Sequence, residues 1–171
     1  SKVRVDSIKQ AEHENYEVAI IDDGLQDSSI NYDKSIVCFN NINWIGNGMV
    51  IPSGPLREKL FSIRNYDFIF LNGNLENLET IKKEIVTIHS KANIFIGQYK
   101  ILNIDEINLY DNYFVFSGIG NHKTFLSTLK EHKINVMEDL EFPDHYEYTN
   151  KDLDRIITYS KKLNCKIITT E

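Results

Sequence analysis

The chain is poor in cysteine, in positive charge and in long apolar runs. Its two cysteines, Cys38 and Cys165, lie far apart in apolar surroundings and form no metal-spaced pair. They read as buried free thiols of a reducing compartment, and a disulfide framework or cysteine-rich metal site is excluded. Formal net charge is −6, so no global basic field draws in a polyanion, and nucleic acid is not an expected partner. No run reaches the roughly 18 apolar residues of a spanning helix, and no signal-peptide pattern opens the chain.

What is present suits a globular protein. With 171 residues, 42% hydrophobic and 26% charged, the chain can bury a substantial core. Apolar runs of strand length occur at 18–22, 35–39, 67–72, 93–99, 113–118, 134–138 and 166–170. Most lack strict alternation, which predicts strands covered on both faces, as in a parallel sheet. Helical spacing separates them: Leu75, Leu78, Ile81, Ile85 and Ile88; Phe125, Leu126 and Leu129; Leu153, Ile156, Ile157 and Leu163. For the last helix, Asn150 is the expected cap and Thr149 the competing one.

Strands alternating with helices predict an α/β fold. The Gly-, Pro- and Asn-rich stretch "NNINWIGNGMVIPSGPLR" divides the chain into 1–40, a linker and loop at 41–59, and a regular α/β unit at 60–171. Both ends read as cut: "SKVRV" as a strand remnant before a polar helix and a strand, and "CKIITTE" as a strand lacking its following helix.

Four stretches carry chemistry. In "VAIIDDGLQD" an apolar run ends in Asp22 and Asp23, whose mutual repulsion calls for a cation or donors. The pair suits either Mg²⁺ at a strand tip or capping of the following turn. In "GNGMVIPSGPLRE" glycines permit positive φ, Arg57 offers a planar fork for phosphate, and Glu58 a hard oxygen ligand. A solvated Arg-Glu pair is the other reading. "FSGIGN" runs a strand through Gly118 and Gly120 into a helix near Asn121, which makes either an anion site or a tightly packed turn. "EFPDHYEYT" sets Asp144 beside His145 in an aromatic loop, where an imidazole can move a proton or be incidental. His13, His89, His122 and His132 receive no role.

Together, "DDGLQ", "GNGMVIPSGPLRE", "FSGIGN" and "DHYEYT", followed by "IITTE", resemble the tetraacyldisaccharide 4′-kinase (lipid A 4′-kinase) family of Gram-negative bacteria, from about residue 14 to the end. The resemblance implies transfer of the ATP γ-phosphoryl group, with Mg²⁺, to the 4′-hydroxyl of a tetraacyldisaccharide 1-phosphate, giving lipid IVA. It implies a P-loop NTPase-like core joined to a second α/β/α sandwich domain with a mostly parallel sheet, and nucleotide between them. Asp22 and Asp23 match a Walker B-like pair and, with Glu58, the implied metal ligands. Gln26, Arg57 and Glu58 match polar residues of the catalytic cleft, with Arg57 and Glu58 on the nucleotide. His145 matches a histidine that assists an aspartate base.

Three positions depart from the family pattern: Asp27 stands where His is usual, His122 where Pro is usual, and Tyr146 where a second His is usual. No Gly-x-x-x-x-Gly-Lys-[Ser/Thr] occurs, so the resemblance places the phosphate cradle, the catalytic aspartate and a membrane-associating helix upstream of residue 1. The expectation is a piece of a kinase, inactive alone, belonging to an enzyme at the cytoplasmic face of the inner membrane. The competing expectation is a non-catalytic binding or interaction module of nucleotide-fold ancestry.

Overall fold

The computed structural model describes residues 2–73 and 77–170. Leu75, assigned above to a helical stripe, and Glu171 lie outside them. The chain forms two compact units: Ser1–Phe39, Trp44–Leu71 and Glu79–Ile96 in the first, and Asn40–Asn43, Asn72–Leu78 and Gly97–Glu171 in the second.

The first unit opens with α1 (Lys2–His13) and contains most of β1 (Ile36–Asn40), of β2 (Phe68–Gly73), of α2 (Leu78–Ile88) and of β3 (Asn93–Gln98). These strands form a sheet in the order β1-β2-β3. The Phe68 amide donates to the Ser35 carbonyl and the Asn41 amide to the Asn72 carbonyl, so β1 and β2 run parallel. The α2 stripe behaves as its spacing requires, with Leu78, Ile81 and Ile85 buried.

Two expectations fail in this unit. The run at 18–22 forms no strand, and Val18 and Ile20 are exposed. An apolar run becomes a strand only when a neighbouring edge accepts its backbone hydrogen bonds, and no described strand pairs with it. "SKVRV" is no strand remnant either, because Lys2 to Val5 belong to α1. Its residues have adequate helix propensity, and the first turn is tied down by Arg4, whose guanidinium reaches Asp27 at 3.4 Å and the Asp23 carbonyl at 3.2 Å.

The second unit holds β4 (Asn112–Ser117), α3 (His122–Glu131), β5 (Asn135–Glu141), α4 (Asn150–Lys162) and β6 (Lys166–Thr169). Its sheet is β5-β4-β6, with both pairings parallel and a register irregularity between Tyr113 and Phe114. Strand β4 is the one covered on both faces. Tyr113 and Val115 pack with Leu129 and Ile134, while Phe114 and Phe116 pack with Ile156. Alternate side chains of a strand point to opposite faces, so α3 lies on one side and α4 on the other. The α/β class with parallel sheets is therefore the architecture of this chain, and the second unit is a helix–sheet–helix sandwich.

Coverage on both faces does not extend to the flanking strands. Ile36 of β1, Phe95 of β3 and Met137 of β5 are exposed. Cys38 is exposed in β1 and Cys165 half-buried, which corrects the expectation of two buried thiols: Cys38 shares the open face with Ile36, two residues away. The cap of α4 is Thr149, not Asn150. Its hydroxyl accepts from the Asp152 amide at 3.3 Å, and the Asp152 carboxylate accepts from the Thr149 amide at 2.9 Å. This reciprocal box satisfies two helix-end donors, and Asn150 becomes the first helical residue.

Candidate functional site

Two groups of chemistry-bearing side chains stand out, one in each unit. In the first unit, the loop at 46–58 closes on itself before presenting Arg57 and Glu58. Gly46 and Gly48 take φ of 57° and 73°, a backbone region that glycine enters without the Cβ clash of other residues. The Asn47 side chain donates to the Ser53 carbonyl at 2.7 Å and accepts from the Met49 amide at 3.1 Å. Ile51 and Leu56 are joined backbone to backbone at 2.8 Å. Arg57 and Glu58 leave this knot in a turn ahead of a 3₁₀ helix at Leu60–Asn65.

Asp22 and Asp23 begin the tight turn that follows the apolar run. The Asp27 amide donates to the Gly24 carbonyl at 2.8 Å, and the Tyr32 hydroxyl donates to the same carbonyl at 2.6 Å. Asp27 folds this turn: its carboxylate accepts from the Ser29 amide at 3.1 Å and from the Ser29 hydroxyl at 2.5 Å, and it pairs with Arg4. A short carboxylate bonding two residues ahead is a standard way to fix such a turn.

Folding brings the two loops together across more than thirty residues. Arg57 donates to and pairs with Asp23, and this bond holds the Asp23 carboxyl below its ordinary value while raising the Arg57 guanidinium. The compensating charge that an Asp-Asp pair requires is thus supplied for Asp23 by Arg57. Asp22 makes no hydrogen bond or ion pair among the described residues. Beside this pair, Gln26 and Tyr66 each donate to the Oε1 of Glu58 at 2.9 Å. The Gln26 bond is the main cause of a lowered Glu58 carboxyl. Burial, and then the Glu58 bond, push the Tyr66 phenol up to about 12. Tyr66 is a member of this cluster that the sequence reading missed, since a lone tyrosine before a strand carries no signal of a partner eight residues back.

Mg²⁺ takes oxygen ligands and is usually held by one or two carboxylates together with phosphates and waters. Among the described residues no three His, Cys, Asp or Glu side chains gather as a metal cage, so Asp22, Asp23 and Glu58 do not form a three-carboxylate set. Asp22 is the donor that fits. The Asp23 and Glu58 carboxylates already have partners, Arg57 for one and Gln26 and Tyr66 for the other.

In the second unit, His145 sits at the tip of a turn. The Tyr146 amide donates to the Pro143 carbonyl at 3.1 Å, and His145 itself has a φ of 56°. The imidazole is 94% exposed, with Nε2 3.7 Å from the Asp144 carboxylate. An open imidazole beside a carboxylate can take and return a proton. Phe142, Tyr146 and Tyr148 pack edge and face beneath the turn, with ring centroids 4.8 to 5.6 Å apart, and the Tyr146 hydroxyl reaches Asp152 at 3.2 Å.

The sequence reading assigned nothing to His122, yet it is 2% exposed and hydrogen-bonded at both ring nitrogens. Nδ1 lies 2.6 Å from the Ser117 hydroxyl and Nε2 2.9 Å from Asp139. Ser117 is fully buried, so this line of three polar groups offers no substrate a nucleophile. His122 is the first residue of α3 after the Asn121 cap, a position whose backbone N–H lacks a helical partner, which is why proline or histidine can stand there. A shallow pocket of about 230 Å³ lies beside it, lined by Asn43, Gly120, Asn121, His122, Lys123 and Glu141.

Comparison with known proteins supplies the family. The sequence model described as Tetraacyldisaccharide-1-P 4′-kinase matches residues 1–171. The Tetraacyldisaccharide 4′-kinase of Pelagibacter ubique (strain HTCC1062) is 56% identical over 168 residues, covering 98% of this chain and 54% of that protein. That of Rickettsia bellii (strain OSU 85-389) is 39% identical over 154 residues, covering 90% and 46%. A crystal structure of LpxK from Aquifex aeolicus in complex with ATP aligns with a TM-score of 0.47 and 22% identity, covering 86% of this chain and 44% of that one. The chain spans about half the length of the curated relatives it matches. With the family model matched from one end of these residues to the other, the chain belongs to the tetraacyldisaccharide-1-P 4′-kinase family.

Proposed function

We propose that, within a protein of its relatives' length, these residues serve ATP-dependent phosphorylation of the 4′-hydroxyl of a tetraacyldisaccharide 1-phosphate, the reaction that gives lipid IVA. The observation that carries this reading is the joining of "DDGLQ" to "GPLRE": Arg57 on Asp23, and Gln26 with Tyr66 on Glu58. Guanidinium and ordered carboxylates at one place suit the positioning and charge stabilisation that dominate phosphoryl transfer. Under this reading 1–40 belongs to a P-loop NTPase-like core, 41–59 is its linker and active-site loop, and 60–171 is a second domain. The enzyme works at the cytoplasmic face of the inner membrane, where its lipid substrate lies; no described helix is long and apolar enough to cross a membrane.

Each group has a task. Arg57 balances negative charge on the transferring phosphoryl group, and to do so must exchange Asp23 for a phosphate oxygen. Asp22, with Asp23 once released, would hold Mg²⁺, which when bound neutralises charge on the β- and γ-phosphates. Gln26 and Tyr66 keep Glu58 ionised and oriented. His145 assists removal of the proton from the sugar hydroxyl.

Steady-state kinetics in a full-length protein carrying these 171 residues tests the assignment. His145→Ala lowers turnover by roughly 10²–10⁴, the usual worth of an acid–base group, with little change in the KM for ATP. Asp22→Ala shifts the magnesium dependence instead. Loss of magnesium affinity in His145→Ala with an unchanged pH profile would overturn the division of roles. Absence of lipid phosphorylation by the unaltered full-length protein would favour the non-catalytic binding module.

A further inference from the structure

The end of β4 is tied from two sides. On one side the Ser117 hydroxyl meets Nδ1 of His122 at 2.6 Å, and Nε2 of His122 meets Asp139 of β5 at 2.9 Å. On the other side, the Ser117 carbonyl accepts from the Phe142 amide at 2.9 Å, and the next carbonyl, that of Gly118, accepts from the His145 amide at 3.0 Å. His145 is held in the left-handed region, φ 56°, a conformation that costs a non-glycine residue free energy and persists only where surrounding bonds impose it. The Gly118 carbonyl is such a bond. A Cβ at Gly118 would meet the Tyr148 hydroxyl at 3.0 Å and the Pro143 carbonyl at 3.2 Å, so the turn rests directly on this glycine with no spare room.

We propose that His122 is a positioning residue for His145: bridging Ser117 and Asp139, it fixes the Ser117–Gly118 end of β4 on which the His145 turn is hung. Both ring nitrogens are used, and the ring is packed edge-on against Phe125, with centroids 6.4 Å apart. The imidazole therefore joins β4, α3 and β5 at one point. Removing it leaves the Ser117 hydroxyl without that partner at a site with no solvent access, and a buried polar group in that state costs enough to shift the strand end. The catalytic consequence rests on the proposed proton-handling role of His145; the structural consequence does not.

Amide hydrogen exchange and kinetics, both in a full-length protein carrying these residues, test this together. His122→Ala speeds exchange of the His145 amide by roughly tenfold relative to Ile167 and Ile168 of β6, the scale of one lost hydrogen bond. It lowers kcat with the KM for ATP unchanged, and His122→Gln, which retains a donor for Asp139, recovers part of both. If His122→Ala does not fold, Asp139→Ala carries the same measurement, because its side chain is 45% exposed. Unchanged relative exchange at His145 overturns the proposal. Faster exchange with kcat intact also overturns it if His145→Ala itself reduces kcat. If His145→Ala leaves kcat intact too, the positioning stands and the proton role of His145 is what fails.

Discussion

At the residue scale, the behaviour of Asp23 depends on one guanidinium. Its carboxyl is depressed by Arg57, so it releases its proton more readily folded than unfolded. The stability it contributes is present above the ordinary Asp value of about 3.9 and is lost as pH falls through the lower folded value. Arg57→Ala therefore raises the Asp23 midpoint, read by carbon NMR, and flattens the acid limb of the stability profile; added salt does the same in part, because both side chains are more than half exposed. Tyr66 allows a companion test. Tyr66→Phe removes one of the donors that hold Glu58, beside Gln26 and Ser62, so the Glu58 carboxyl midpoint rises and stability falls by about 1 kcal/mol. An unmoved Glu58 midpoint would show that Gln26 and Ser62 suffice to hold it. Asp22 and Asp23 were legible as a pair needing compensation, but not that Arg57 supplies it for one of them, since the partners lie 34 positions apart.

At the element scale, α4 shows how near a sequence reading comes and where it stops. Its apolar spacing marks the helix, and Ile156 is buried as that spacing requires. The cap is one residue from the expected one because Thr149 and Asn150 are both good caps by type. The choice fell to the partner three residues on, which is Asp152 for Thr149 and Leu153 for Asn150. Thr149→Ala accordingly costs about 1 kcal/mol in denaturant unfolding, while Asn150→Ala stays near neutral; equal losses would refute the cap assignment. Residues 18–22 make the opposite point. Apolar composition marks a strand there, yet pairing is a relation between two segments, and no described strand supplies the second.

At the scale of the whole molecule, the six strands found among the described residues all lie where apolar runs mark them, and in the second unit helices cover both faces of β4. No phosphate cradle of the Gly-x-x-x-x-Gly-Lys-[Ser/Thr] kind occurs in these 171 residues. Because positioning and clamping of the γ-phosphate dominate phosphoryl transfer, these residues by themselves are expected to transfer no phosphate. Incubation with radiolabelled ATP, magnesium and disaccharide 1-phosphate tests this, and robust labelling of the lipid would refute it.

Local sequence suffices for the α/β class, for the six strands and three of the helices among the described residues, and for the loops that bear Asp22, Asp23, Arg57, Glu58 and His145. These depend on periodicity and turn chemistry, which act over a few neighbouring residues. Tertiary structure alone decided that Arg57 meets Asp23, that Tyr66 joins Gln26 on Glu58, and that His122 is buried between Ser117 and Asp139. Such contacts join residues 5 to 34 positions apart, and their energies depend on burial and distance, quantities that exist only once the chain has folded.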